Sequence, residues 1–139
     1  MEKVDRQPKT ELKKAAETPA EKYAPYIAGL VARDRRRRRR LKERAAQAFE
    51  VARQAADLLR RHYPVTRVRL FGSTLRPERF HERSDIDLAV DGLPSKDYLR
   101  AWALLNGTEL KSGFEIDLVA QDECLPYIWK AVEREGIDI

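Results

Sequence analysis

Hydrophobic positions along this 139-residue chain change their period once, at Pro64. Upstream of it, Tyr26, Ile27, Leu30 and Val31 recur at helical spacing, and the pattern resumes with Ala45, Phe49, Ala52, Ala56 and Leu59 at steps of three and four. Thr18-Pro19-Ala20-Glu21 has the form of a capping box with proline at the first helical position. Pro25 predicts a second start or a kink. One long helix, or two joined end to end, is therefore expected to finish near His62, because Pro64 cannot continue it. The stretch before Thr18 is polar, rich in Lys and Glu and without sustained periodicity, which predicts a loose or partner-dependent segment.

Beyond Pro64 the period shortens. Val65 to Phe71 is rich in β-branched residues and alternates, as a strand does. Ser84 to Val90 alternates cleanly, with Asp85 and Asp87 on one face and Ile86 and Leu88 on the other. Residues 95–106 carry a helical stripe of Tyr98, Leu99, Trp102 and Leu105. Phe114 to Val119 alternates again and puts Glu115 and Asp117 on one face. Residues 126–135 read as a helix with Gly136 as its C-cap, followed by a short strand from Ile137 to Ile139. Strands alternating with helices predict an α/β (α+β) fold, a small mixed sheet with helices packed on it. The expected organisation is a basic helical extension over residues 1–62 and a domain over 63–139.

Charge sharpens that division. Residues 1–64 hold 18 Lys/Arg against 9 Asp/Glu, whereas residues 65–139 hold 10 against 14, so the overall +5 comes entirely from the N-terminal half. The acidic half suits a site that collects cations better than one that grips nucleic acid. No uninterrupted apolar run approaches the roughly 20 residues of a membrane span. The opening MEKVDRQPKTELKK has no apolar stretch behind its charges, which argues against a signal peptide. Cys124 is alone, so a disulfide framework is excluded and a cytoplasmic location is expected.

The candidate chemistry lies in the acidic half. Two aspartates one residue apart on a strand project to the same side, with Cα atoms about 6–7 Å apart, so Asp85 and Asp87 can bind one or two hard cations. Asp117, at the same level on an adjacent strand, would close the site. Magnesium suits three carboxylates, since it takes oxygen ligands and keeps positions open for water and phosphate oxygens. Leu70-Phe71-Gly72-Ser73 is a strand ending in Gly-Ser and turning towards helix, where backbone N–H groups can face an anion. Together these parts would hold a nucleoside triphosphate for in-line attack by an acceptor hydroxyl.

The stretch LFGSTLRPERFHERSDIDLAV resembles the signature of the minimal nucleotidyltransferases, a compact branch of the polymerase-beta superfamily. Gly72, Ser73, Arg76, Ser84, Asp85 and Asp87 match its motif, and Asp117 in Phe114-Glu115-Ile116-Asp117-Leu118-Val119 matches its later aspartate. The resemblance covers about residues 65–139. Arg76-Pro77 replaces the usual Arg-Gly, and the spacer before Ser84 is about one residue longer. The resemblance implies the nucleotidyltransferase fold and magnesium-dependent transfer of AMP from ATP. Asp85 and Asp87 would ligate both metals, Asp117 would ligate the catalytic metal and take the acceptor proton, and Gly72 and Ser73 would hold phosphates. It further implies an antitoxin that adenylylates a tyrosine of a partner HEPN ribonuclease toxin. The alternatives are a catalytically idle binding antitoxin, or a transferase acting on RNA ends or a small molecule.

Several residues support two readings. Arg76 contacts phosphate or pairs with Glu78 or Glu82; Glu115 is an outer acid or a solvated strand residue. Arg76 and His81 satisfy an Arg-x4-His spacing, which in a loop is coincidence. Arg35 to Arg40 points in every direction around a helix, so it is a solvated face, a nucleic-acid contact or a docking surface for an acidic partner. The apolar cluster before it predicts an arm that docks a partner or a second copy of the chain.

Overall fold

The computed structural model describes residues 17–139, so the expectation for the stretch before Thr18 falls almost entirely outside the described residues. Helix α1 runs from Pro19 to His62 without interruption. Its start is the expected capping box: Glu21 N–H donates to Thr18 Oγ1 (3.2 Å) and Thr18 N–H donates to Glu21 Oε2 (3.3 Å). Pro25 lies inside the helix and starts no second one. The carbonyl that loses its N–H partner belongs to exposed Glu21, where water can satisfy it.

Two compact units divide the chain, Met1–Arg39 and Arg40–Ile139. Within the first, Tyr23, Tyr26, Ile27, Leu30 and Val31 all stand exposed. Asp34 and Arg38 pair at 2.8 Å, one helical turn apart.

The second unit contains four strands, β1 (Arg67–Phe71), β2 (Ile86–Asp91), β3 (Ile116–Ala120) and β4 (Ile137–Asp138), in the sheet order β3-β2-β1-β4. β1 lies antiparallel to β2 and β4, whereas β2 and β3 are parallel and are joined through helix α2 (Tyr98–Asn106). Helix α3 (Pro126–Glu135) precedes β4. The sheet is the middle layer. One face presents Val68, Leu70, Ile86, Leu88, Val90, Ile116 and Leu118 to the small residues Ala48, Ala52, Ala55 and Ala56 of α1 and to Ala101 and Leu105 of α2. Alanines there let the helix axis approach the sheet closely, and Leu58 and Leu59 fill the remaining volume. The opposite face places Phe71 and Ala89 against Trp129 and Val132 of α3.

That second layer explains Arg69, whose side chain is buried in β1. Its guanidinium lies 5.2 Å from the Trp129 ring centroid and 3.6 Å from Asp91 Oδ1, so the charge is held by an aromatic face and a carboxylate. Gly136 caps α3 with its N–H on Val132 O at 2.8 Å. A Cβ at Gly136 would stand 2.5 Å from that oxygen, so close backbone approach, not a left-handed turn, requires the glycine.

Strand boundaries shift by a residue or two from the periodicity. Ser84 and Asp85 precede β2 because Ser84 N–H is taken by His81 O, and the ladder opens only where Ile86 N–H donates to Glu115 O. Glu115 likewise stands outside β3 and is exposed. Residues 95–106 begin with a 3₁₀ turn, Ser95–Asp97, before the α-helix starts at Tyr98.

Candidate active site

Two carboxylates meet because of strand register. β2 and β3 are parallel with Asp87 opposite Asp117, and β1 and β2 are antiparallel with Phe71 opposite Asp87. Gly72, the residue after β1, therefore arrives beside Asp87. Its φ of +82° is a left-handed conformation, and a Cβ built there would stand 2.1 Å from Asp87 Oδ2. Only glycine fits both constraints.

After Gly72 the chain makes one 3₁₀ turn, Gly72–Leu75, instead of entering the expected helix. The cause is the Arg76-Pro77 pair. Proline disfavours the helical region for its predecessor, and Arg76 is extended at φ −125°, ψ 95°. Ser73 sits partly exposed in this turn, and the Thr74 hydroxyl is buried there without a hydrogen-bond partner. So short a turn brings little macrodipole; any anion here would be held by individual backbone N–H groups.

The loop that follows delivers Asp85. His81 N–H donates to Ser84 Oγ at 2.8 Å and Ser84 N–H returns a bond to His81 O at 3.0 Å, closing the turn around a buried serine. Ser84 thus serves the loop backbone. Arg76 pairs with Glu135 at the end of α3, and Arg134 shares that carboxylate at 3.1 Å. Glu78 and Glu82, the partners foreseen for Arg76, are exposed on turns.

Electrostatics mark Asp87 as the central group. Burial, then the charges of Asp117 and Asp85, and then hydrogen bonding to Asp117 push its carboxyl up to about 7. None of the ion pairs among the described residues involves Asp85, Asp87 or Asp117. An all-oxygen donor set with excess negative charge and no basic partner fits a hard divalent cation. Yet no three His, Cys, Asp or Glu side chains among the described residues are drawn together around one ion position.

Two side chains of α2 hold the backbone on either side of Asp117. Asn106, the last residue of α2, donates from Nδ2 to Ile116 O and accepts Ile116 N–H at Oδ1, both at 2.9 Å. This pins the first residue of the edge strand. Tyr98 hydroxyl donates to Leu118 O at 2.6 Å on the other side of Asp117. That Asn106 faces β3 is a tertiary fact that helical spacing over residues 95–106 does not carry.

Beside Asp87 and Asp117 opens a cleft of about 440 Å³, walled by Phe71, Trp102, Leu125 and Ile128. Trp102 is 45% exposed, whereas Trp129 is buried in the core. Such a cleft has the size of a small-molecule or side-chain site.

Comparison with known proteins gives these features a context. The sequence profile described as nucleotidyltransferase domain matches residues 52–139. Two proteins of Methanocaldococcus jannaschii, each bearing the provisional name protein adenylyltransferase, are similar to the chain. MJ0128 is 33% identical over 89 residues, covering 63% of this chain and 90% of that protein. MJ1217 is 31% identical over 91 residues, covering 65% and 92%. Among solved structures, a toxin-antitoxin crystallised with AMP-PNP aligns with a TM-score of 0.51 at 25% identity, covering 63% of this chain and 70% of that one.

Proposed function

Since the chain belongs to the nucleotidyltransferase domain family, we propose that it is an antitoxin that transfers AMP from ATP to a hydroxyl of a partner toxin of the HEPN ribonuclease class. The observation that carries the transferase reading is the register that sets Asp87 opposite Asp117 with Gly72 against Asp87. The names of the two archaeal relatives and the AMP-PNP of the aligned toxin-antitoxin support adenylyl transfer to a protein. The catalytic chemistry is assigned to residues 63–139, and the basic helical segment 1–62 contributes its C-terminal part, from Ala48 to Leu59, to the layer that covers the sheet.

Gly72 and Ser73 would offer backbone N–H groups to the β- and γ-phosphates. Asp85, Asp87 and Asp117 would hold magnesium, which supplies charge neutralisation at the phosphates. The acceptor oxygen bonds to the α-phosphorus as the bond from that phosphorus to the bridging oxygen breaks. Pyrophosphate leaves with the electron pair, and the acceptor proton passes to Asp117. Arg76 is held by Glu135 at the edge of the phosphate turn and would be free to contact phosphate once that pair opens.

The test is transfer itself. Wild-type protein, labelled ATP, magnesium and the toxin encoded beside it should give labelled toxin and pyrophosphate. Asp85→Asn with Asp87→Asn should abolish labelling and keep the fold. Undiminished labelling by the double variant sinks the assignment of these carboxylates. Toxin neutralised without any labelling replaces transfer with plain binding.

A further inference from the structure

We propose that the cleft walled by Phe71, Trp102, Leu125 and Ile128 is where the acceptor docks, and that it takes an uncharged or basic, apolar segment of a protein. This inference rests on the transferase reading above and adds the acceptor surface to it.

Three observations carry it. The first is position. Asp87 and Asp117 line the cleft, but no residue of the Gly72–Leu75 turn does, nor does Asp85. The cleft thus opens on the carboxylate pair itself, with Phe71, the residue before the turn, in its wall. In an in-line displacement the attacking oxygen and the leaving pyrophosphate stand on opposite sides of the α-phosphorus. With pyrophosphate leaving over Gly72 and Ser73, a hydroxyl entering through the cleft would meet Asp117 as its proton acceptor.

The second observation is surface character. Trp102 is 45% exposed and Leu125 58% exposed, on α2 and at the entrance of α3, respectively. Leu99, one helical turn before Trp102, is 75% exposed and extends the same helix face. Large apolar side chains left open around an acidic centre mark an interaction surface.

Charge is the third. The cleft is lined by Asp87, Asp117 and Glu123 and by no Lys or Arg. A nucleic-acid 3′ end brings its own phosphates, and nothing in this wall would neutralise them. A peptide hydroxyl flanked by apolar residues meets both the sign and the polarity of the wall.

The chain's two tryptophans make the test direct, since Trp102 lines the cleft and Trp129 is buried elsewhere. Indole N–H signals of the full-length protein would be followed by NMR during titration with three probes. These are a tyrosine hexapeptide flanked by leucines and lysine, a six-nucleotide oligoadenylate, and AMP-PNP with magnesium. The expected result is a saturable shift of the Trp102 signal with the peptide alone, with Trp129 unmoved. Leu125→Ser should weaken peptide binding at least ten-fold and leave AMP-PNP binding as it was. A Trp102 shift caused by AMP-PNP and not by peptide would make the cleft the purine site and overturn the proposal. Oligoadenylate in place of peptide would overturn it in favour of an RNA acceptor, and no shift with any probe removes the docking role. Peptide binding without AMP transfer to any protein leaves the surface standing and refutes the transferase reading, so the two failures are distinguishable.

Discussion

Replacing Asp87 with Asn should stabilise the metal-free protein while ending its activity. In the folded chain the Asp87 carboxyl is pushed from 3.8 to about 7, chiefly by burial and then by Asp117 and Asp85. A folded pKa above the unfolded one means that the native state binds more protons between pH 4 and 7, so stability falls as pH rises through that window. Below pH 4 both states are protonated and no difference arises; above pH 7 the folded state carries the whole penalty. Three units at 1.36 kcal/mol each set a ceiling of about 4 kcal/mol. The side chain keeps some contact with water, so about 2 kcal/mol is the working figure. Asn removes the charge and keeps the shape. By thermal denaturation in EDTA at pH 8, Asp87→Asn should therefore melt roughly 5–10 °C above wild type. The gap should close as pH falls to 4, and millimolar magnesium should narrow it at pH 8 by stabilising wild type alone. A variant no more stable than wild type at pH 8 would refute the claim that like-charge crowding in a buried site defines this centre.

Two further substitutions test how the site is positioned. Gly72→Ala forces a Cβ into a left-handed backbone and to within 2.1 Å of Asp87 Oδ2, so AMP transfer should fall at least about 100-fold with the circular dichroism spectrum unchanged. Retained transfer would show that Asp87 can move aside without consequence. Asn106→Ala strips both bonds from the Ile116 backbone and should cost about 1–3 kcal/mol in urea denaturation. An unchanged midpoint would mean that β3 is positioned by the sheet alone.

What could be read from the sequence follows from which signals are local. Period-two alternation located β2 and β3, and matched parity put Asp87 and Asp117 on corresponding positions of two strands. The parallel register that brings them side by side was not local, because it depends on α2 crossing over the sheet. The capping box at Thr18 and the end of α1 before Pro64 were legible because each is written within four residues. Of the two outcomes expected at Pro25, a second helix start does not occur, since near a solvated helix start a lost hydrogen bond is replaced by water. The turn after Gly72 also departed from expectation: Pro77 holds Arg76 extended and stops a helix from forming. Arg69 and Glu135 were invisible because their meanings lie across the sheet, in Trp129 and Arg76. Periodicity sees which face a residue occupies, but not what a distant helix places on that face.

The N-terminal part of α1 lies outside the compact unit Arg40–Ile139. Tyr26 is 64% exposed and Tyr23 51%, with Ile27, Leu30 and Val31 between 43% and 47%. Steps of three and four put these side chains on one stripe of the helix. Arg35 to Arg40 follow at once, all exposed, with Arg38 paired to Asp34. Six arginines spread over about 9 Å of helix cannot enter a core, so this segment carries an apolar stripe and a fixed positive field side by side. A partner surface that is apolar and rimmed by carboxylates matches both, and burying the stripe would contribute several kcal/mol. Ala48, Ala52, Ala55, Ala56, Leu58 and Leu59, by contrast, lie in the core of the unit Arg40–Ile139 and must stay. Deleting residues 1–39 should therefore leave a folded, monomeric catalytic unit that binds ATP as before and holds its partner toxin at least ten-fold more weakly. Calorimetry at 50 and 500 mM salt separates the two contributions. A steep loss of affinity with salt assigns the contact to the arginines, and a flat response assigns it to the tyrosine and leucine stripe. Binding of RNA by the full chain, lost on deletion, would instead make the arginines a nucleic-acid contact. A truncated protein that is unfolded or insoluble by itself would place the segment in the core and refute its role as an arm.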